Sequence, residues 1–439
     1  MQNSAISTRN SILVLAAIFI GISISLLDWR GLALWLGLAT VIIFSVRSEY
    51  GILLGIALTA LSRFLIIGIN LQLADMAFLL FGTFWLIQRL YQERPISLKL
   101  EPAVAFLILG AATALCSFFV TSSFGVSLGN YVQLFYLVAL TAILVVMFDD
   151  KKFLLAAMWI FVLAAGGISI YGVLGFFTGG ARVIGTFDNP NVYSSYVIAI
   201  IPMAWALTKR IRQRTVKALI YILMAFMTMG LLLSLSRKGW IALALQIFFL
   251  AMCSKKRKLY IGVLIALLAL TVILWPFLST LLPEQIIDRA LGFTSDSSTV
   301  TSRVKLFQIS FDLIRAHPIF GVGLEMFSWY APINSHSTWI GLWTEIGTVG
   351  VLPFIAALGI VSVGFLFWSF GRKEPDYIIN ALAASFFGLF FISQFGNIIF
   401  FRHFWIVLAM SIAALKQSGR GLRREEGVFP SQRAGHKQA

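Results

Sequence analysis

Apolar runs of about 20 residues recur along this chain from Ser11 almost to Lys416, and they constrain its fold more than any other feature. Hydrophobic residues make up 59% of the sequence and charged residues only 12%, which is outside the usual range of soluble globular domains. A helix of about 20 apolar residues crosses a bilayer core, so each run predicts one span. We therefore expect an all-α fold, a polytopic transmembrane helical bundle of about 12–14 spans over residues 1–416.

Basic residues are concentrated in short loops between the apolar runs, which is how membrane proteins mark their cytoplasmic side. One loop extends from Lys209 to Lys217 and another from Lys255 to Lys258, and both are predicted to be cytoplasmic. The net charge of +16 is explained by such loops, so no nucleic-acid partner is expected. The first run, Ser11 to Leu27, lacks a small-residue cleavage site and should remain as a span. Residues 417–439 are predicted to form a basic cytoplasmic tail.

Between those two basic loops, two apolar runs are joined by Ser236, Arg237 and Lys238, so a hairpin of spans puts this tip on the outer side. The same alternation places a long loop region, 279–337, outside. Within it, polar residues recur at helical spacing and predict an amphipathic helix: Lys305, Gln308, Asp312 and Arg315. We expect that helix to begin at Thr301 or Ser302 and to end before Pro318.

Polar side chains that are predicted on the outer side form three clusters. The clusters are Arg182 with Asp188, Asn189 and Asn191; Ser236 with Arg237 and Lys238; and Arg303 with His336. Arginine donates two parallel hydrogen bonds to phosphate oxygens and stays charged, so the clusters predict binding of an anionic lipid headgroup, and a diphosphate would need about two such cations. Each arginine alone is equally well explained as an interfacial residue that reaches to headgroups, and the asparagines as a turn. Three clusters on one side favour a site.

His336 directly precedes a predicted helix start, and Ser335 and Ser337 are candidates for the cap. The partial positive charge of a helix N-terminus, together with nearby arginines, should keep this imidazole neutral at neutral pH. A neutral imidazole can act as a general base on a hydroxyl group, although a structural hydrogen-bonding role at the interface is the alternative. No paired carboxylates are predicted outside, so neither a metal nor another cofactor is expected. Glu345 should turn away from His336 and meet an arginine of a neighbouring span.

These residues resemble a known family, the O-antigen ligases and O-antigen polymerases of bacterial surface-polysaccharide assembly. Gly185 to Asn191 resembles the family segment Gly-x-Phe-x-Asn-Pro-Asn, and Ser236 with Arg237 resembles its Ser-Arg hairpin. The outer-loop signature is matched by Ser302, Arg303, the run His317 to Gly323, His336, Glu345, Gly347 and Gly350. The resemblance covers roughly Ala181 to Pro353, and no single element is specific, but their order and spacing are. Ser337 and Lys238 depart from the usual family residues.

The resemblance implies a multi-pass enzyme of the bacterial inner membrane with an active site that faces the periplasm. Such an enzyme moves a polyprenyl-diphosphate-linked glycan to an acceptor hydroxyl without a metal. By this resemblance Arg182 and Arg237 would hold the diphosphate, Arg303 would assist, and His336 would deprotonate the acceptor. The supporting residues are Lys238, Asn189, Asn191 and Glu345.

The sequence leaves several transferase functions open, and they differ in the acceptor that receives the glycan. A ligase transfers a glycan to the lipid A core during lipopolysaccharide maturation, whereas a polymerase transfers it to a second lipid-linked glycan. We favour the ligase type because the signature occupies one modest outer segment, and protein O-glycosylation by a related enzyme stays open. A secondary transporter should carry ionisable or broken-helix sites near the membrane midplane in two related halves, and the sequence has few such charges and no evident repeat.

Overall fold

The computed structural model describes residues 47–61, 65–67, 71–92, 100–262, 265, 297–331, 335–371 and 376–428. For 65–67, 71, 297–303 and 420–428 it describes the backbone only. The predicted span Ser11 to Leu27 and the beginning of the outer loop region, 279–296, lie outside the described residues.

The described chain is mainly helical. Its α-helices are α1 Ser48–Leu58, α2 Leu73–Tyr91, α3 Pro102–Ala114, α4 Phe124–Met147, α5 Lys151–Phe177, α6 Pro190–Arg210, α7 Arg214–Leu233, α8 Arg237–Met252, α9 Ser297–Ala316, α10 Thr338–Phe370, α11 Tyr377–Ser393 and α12 Arg402–Val428. Residues 257–262 are also helical. Short 3-10 helices lie at Thr59–Leu61, Leu115–Phe119 and Phe327–Trp329, and a small antiparallel hairpin joins β1 Leu65–Ile67 to β2 Leu71–Gln72.

Seven helices in the described part of the chain are long and apolar enough to cross a membrane. Two shorter apolar helices, Ser48–Leu61 and Tyr377–Ser393, accompany them. The predicted class, an all-α polytopic helical bundle, is confirmed. The predicted number of spans includes runs that lie outside the described residues.

The chain forms two compact units, one made of 1–55 with 75–96 and the other of 56–74 with 97–439. In the first unit, the ring of Phe81 lies directly over Gly51, where a side chain on the glycine would collide with it. The absence of a side chain therefore allows close helix packing there. The second unit contains α3 to α12 and every predicted site residue.

Helix α6 is the centre of the second unit, because 83% of its spanning window is buried. It packs against α5, α7, α8, α11 and α12. Gln246 of α8 donates its side-chain N–H to the carbonyl of Ile198 in α6 (2.8 Å) and to that of Ala384 in α11 (3.0 Å). A buried amide that bridges two backbones fixes these helices relative to one another, because leaving its N–H groups without acceptors in an apolar interior would cost free energy.

The alternating helices bring their turns to two opposite ends of this unit. The cluster end, as we call it, contains residues 178–189, 234–238, 317–331, 335–338 and 394–401. The basic end contains 148–150, 210–214 and 253–258. Apart from Arg303, which lies within α9, the residues of the three predicted outer clusters have their backbone in, or directly beside, the cluster-end segments. The alternation that predicted these positions is consistent with the fold.

The predicted amphipathic helix is α9, and its buried side contains Leu306, Ser310 and Ile314. The prediction of its start was wrong, because α9 begins at Ser297 and both Thr301 and Ser302 lie inside it. Several Ser and Thr residues follow one another here, and each is a good N-cap, so the sequence does not distinguish among them. Helix α12 continues past Lys416, where the tail was predicted to begin, to Val428.

Candidate functional site

Two of the predicted outer clusters are joined directly by hydrogen bonds. The Arg182 side chain donates through Nε to the carbonyl of Ser234 (2.8 Å), and the backbone N–H of Val183 donates to the carbonyl of Leu233 (3.1 Å). These two bonds fix the loop before α6 against the turn between α7 and α8. Ser234 precedes Arg237 by three residues, so this bond holds Arg182 against the segment that contains Arg237.

The Asn-Pro-Asn run begins the central helix α6. Asn189 caps it, accepting through Oδ1 from the backbone N–H of Asn191 (2.7 Å), and Pro190 occupies the first turn, where its missing N–H costs nothing. The cap accounts for asparagine at position 189, and a supporting role of Asn189 in the site stays a prediction. Asn191 also accepts from the hydroxyl of Ser236 (2.9 Å) and so links this helix start to the hairpin tip.

Arg237 is the first residue of α8 and is half-buried. Ser236 is the N-cap, and Leu235 before it has a left-handed backbone (φ 55°). The contact between Ser236 and Asn191 places the N-termini of α6 and α8 side by side. Two neighbouring helix N-termini, one of which begins with an arginine, form a suitable site for an anionic group such as a phosphate.

His336 lies at the start of α10, as predicted, and is half-buried. Ser337 is the N-cap, because its side chain accepts from the backbone N–H of Ile340 (3.4 Å), and Ser335 donates to the carbonyl of Ser337 (2.8 Å). The backbone of His336 is left-handed (φ 55°). That conformation costs a non-glycine residue about 1–2 kcal/mol, and such costs are concentrated at functional sites.

The turn between α11 and α12 connects the hairpin tip with the histidine segment. Lys238 donates from Nζ to the carbonyl of Phe395 (3.5 Å), and Thr338, two residues after His336, donates to the carbonyl of Gly396 (2.7 Å). Lys238 lies so close to Gly396 that a side chain on this glycine would collide with the ammonium group. The Arg237 and His336 segments therefore meet at one turn, which sequence reasoning did not identify.

Glu345 is buried in α10, and its carboxylate accepts backbone N–H groups from Glu325 and Phe327 in the outer loop. No arginine partner of Glu345 is found among the described side chains, which exclude those of Arg63 and Arg303, so an arginine partner stays a prediction. Helix α10 has a break at Gly347 (φ 66°, ψ −175°), and beside it the outer loop pairs with the helix, since the N–H of Val322 donates to the carbonyl of Thr344 (3.0 Å). Glu345 thus anchors the outer loop.

Glu325 is a member of this site that sequence reasoning missed. Its backbone is left-handed (φ 60°), and burial raises the pKa of its carboxyl group, an effect that a hydrogen bond with Asn397 partly offsets. The signal for it was the single acidic residue between Pro318 and Ser337. Through Asn397 the outer loop contacts the same turn that holds Lys238 and Thr338.

Arg303 lies in α9, and its side chain is outside the described part of the structure. The helix is held near the histidine segment by apolar packing, since Leu306 shares a buried cluster with Phe327 and Ala331. A role for Arg303 beside His336 stays a prediction. Among the described residues, no group of His, Cys, Asp and Glu side chains comes together as a set of metal ligands.

A comparison with protein-family models relates part of this chain to known proteins. Residues 222–355 match the model of the O-antigen ligase family. The matched O-antigen ligase segment contains Arg237, Arg303, His336 and Glu345, whereas Arg182 precedes it. The family resemblance predicted from the sequence is confirmed, and this part of the chain resembles a membrane enzyme of the O-antigen ligase and polymerase type. A comparison with curated proteins gives no match.

Proposed function

We propose that this protein is a membrane glycan transferase of the O-antigen ligase type. Its donor is a glycan linked to polyprenyl diphosphate, and its acceptor is a hydroxyl group of the lipid A core. The cluster end faces the periplasm of a bacterial inner membrane, and the basic end faces the cytoplasm. The family match over residues 222–355 and the basic loops at the opposite end support this assignment.

In the proposed reaction His336 is the general base. Its imidazole takes the proton of the acceptor hydroxyl while that oxygen attacks the anomeric carbon of the glycan. The bond between this carbon and the diphosphate oxygen breaks, and polyprenyl diphosphate leaves. A positioned base of this kind contributes about 10²–10⁴-fold to a rate.

The leaving diphosphate is held by Arg182 and Arg237 in this mechanism. Their segments are fixed to each other by the bond from Arg182 to Ser234 and the bond from Ser236 to Asn191. The N-termini of α6 and α8 add partial positive charge at the same place. Stabilising the leaving group electrostatically makes a metal ion unnecessary, and Arg303 and Lys238 supply further positive charge.

One observation carries the proposal. Lys238 and Thr338 both donate to the turn at Phe395 and Gly396, so the cationic hairpin tip and the segment of the proposed base converge on one small region. These segments are separated by many residues in the sequence, and their convergence is what a base acting beside a diphosphate requires.

Deletion of the gene followed by gel analysis of the cell-envelope glycans tests the function. Loss of glycan attachment with accumulation of long lipid-linked chains is the result we expect. Accumulation of single lipid-linked repeat units would identify a polymerase instead. Unaltered envelope glycans would overturn the proposal.

A further inference from the structure

A separate cavity opens beside the N-terminus of α6, next to the proposed diphosphate site. Its volume is about 270 Å³, and it is lined by Thr59, Gln72, Gln133, Phe187, Asp188, Val192, Phe400, Phe401, Arg402 and His403. None of the residues assigned to the reaction lines it. Asp188 directly precedes Asn189, the cap of α6, so the cavity and the diphosphate site share the same loop.

Gln133 is the most informative residue of the cavity wall. It lies in α4, and its side-chain Nε2 is buried without a hydrogen-bond partner. A buried amide that donates to nothing costs free energy, and polar groups in spanning helices are kept where they contact a substrate or a polar cavity. An oxygen atom of a ligand in the cavity would satisfy this donor.

The charges around the cavity indicate what kind of ligand it takes. Asp188 supplies a carboxylate and Arg402 a guanidinium to the same wall, and a carboxylate disfavours a phosphate or another anion. A neutral polyhydroxyl ligand, in contrast, offers both donors and acceptors. Phe187, Phe400 and Phe401 add apolar surface, which suits the C–H face of a sugar ring.

His403 at the cavity wall is held in place by its neighbours. Its Nε2 lies 3.1 Å from the hydroxyl of Ser195 in α6, and the ring of Tyr196 packs edge-on against it at 5.4 Å between centroids. The wall is therefore built on the central helix. A rigid wall is what selective binding of one small ligand requires.

We infer that this cavity is a sugar subsite, which binds one neutral pyranose ring of the glycan that the protein transfers or extends. The inference rests on the proposed function. The ring belongs either to the acceptor or to the donor, and both present the same hydroxyl chemistry. A cavity slightly smaller than the ~300 Å³ at which most ligand pockets begin has room for about one ring.

Gln133→Leu is the variant that tests the subsite. It removes the unsatisfied donor while keeping the side-chain volume similar, so the purified protein should melt at the same temperature or higher. Asn130→Leu is its matched control, because Asn130 lies on the same helix, does not line the cavity and donates to the carbonyl of Val126 in its own helix. Neither residue takes part in the proposed reaction.

Binding is measured by saturation-transfer NMR on the purified full-length protein in detergent micelles, with a panel of methyl hexosides and methyl N-acetylhexosaminides. We expect transfer to at least one glycoside with the unaltered protein and the Asn130 variant, and about tenfold weaker binding with Gln133→Leu. Absence of transfer to every glycoside, or equal binding by Gln133→Leu, would overturn the subsite.

Two further measurements separate this inference from the proposed function. His336→Asn should bind the glycoside as well as the unaltered protein does, because the subsite does not include the base. Unchanged envelope glycans after gene deletion would refute the transferase while glycoside binding still supported a sugar cavity. In a transfer assay, a higher KM for acceptor in Gln133→Leu assigns the ring to the acceptor, and a higher KM for donor assigns it to the donor.

Discussion

The two ends of the second unit differ in how they hold their charged side chains. At the basic end, Lys416 is almost completely buried and lies 3.5 Å from a carboxylate oxygen of Glu101 and 3.8 Å from one of Asp149. At the cluster end, Arg182, Lys238 and Arg402 each donate to a backbone carbonyl. The first arrangement places a buried cation beside two carboxylates, and the second includes contacts between cations and backbone carbonyls.

The backbone differs between the ends as well. The three non-glycine residues with a left-handed backbone in the described chain, Leu235, Glu325 and His336, all lie at the cluster end. Strained residues persist where the surrounding contacts hold them, and they are concentrated at sites with a function. The backbone strain of the described non-glycine residues is therefore concentrated at the end that holds the candidate site.

The largest effect is expected from His336→Asn at the cluster end. Asparagine tolerates a left-handed backbone, so the fold should be kept while the proposed general base is lost. Glycan transfer by the purified protein should fall by about 10²–10⁴-fold. His317→Asn is the matched control, since His317 is an exposed histidine of the same outer region. Normal transfer by the His336 variant would remove the proposed base.

A somewhat smaller effect is expected from Arg237→Ala. Loss of a charged hydrogen-bond donor costs about 1.5–3 kcal/mol, so transfer should fall by about 10–150-fold. Arg214→Ala provides the comparison from the other end, because Arg214 is the first residue of α7 as Arg237 is of α8. Equal losses in both variants would show that the two ends do not differ in function.

Gly347→Ala should act mainly through stability. A Cβ at this position would meet the carbonyl oxygen of Ile319, and φ and ψ here are favourable for glycine alone, which together cost about 3 kcal/mol. The melting temperature in detergent should fall clearly, and transfer should fall with it. Gly359→Ala on the same helix has open space around its Cβ and should melt normally. A normal melting temperature for Gly347→Ala would disprove the tight docking of the outer loop.

The smallest effect on transfer is expected from Lys416→Ala at the basic end. It removes the ion pairs with Glu101 and Asp149 and should lower the melting temperature, while transfer per folded protein changes less than about twofold, since this end takes no part in the reaction. Transfer is measured on the purified variant beside its thermal melt. A loss of transfer as large as that of Arg237→Ala would contradict the division between the ends.

Much of this organisation could be predicted from the sequence. The positions of the basic loops in the chain are enough to put Arg182, Arg237 and His336 at one end, because each spanning helix reverses the side of the next turn. The cap at Asn189 and the cap at Ser337 follow from local residue preferences. These predictions depend only on neighbouring residues and on the change of membrane side from one span to the next.

Other features depend on contacts between distant segments and could not be predicted in this way. The turn at Gly396 meets Lys238 and Thr338 only in the folded chain. Backbone N–H groups of Glu325 and Phe327 in the outer loop face the buried carboxyl group of Glu345, beside the break at Gly347, and no local sequence pattern indicated this contact. Gln133 gave no signal in the sequence, because a single amide in an apolar run is often satisfied by its own helix.

The most direct test of the account measures release of polyprenyl diphosphate by the purified protein, supplied with a polyprenyl-diphosphate-linked glycan, an acceptor bearing the lipid A core, and EDTA. We predict release in step with glycan transfer by the unaltered protein, about 10–150-fold less release by Arg237→Ala, and almost none by His336→Asn. Equal release by the His336 variant, or no release by the unaltered protein unless a metal is added, would contradict the account.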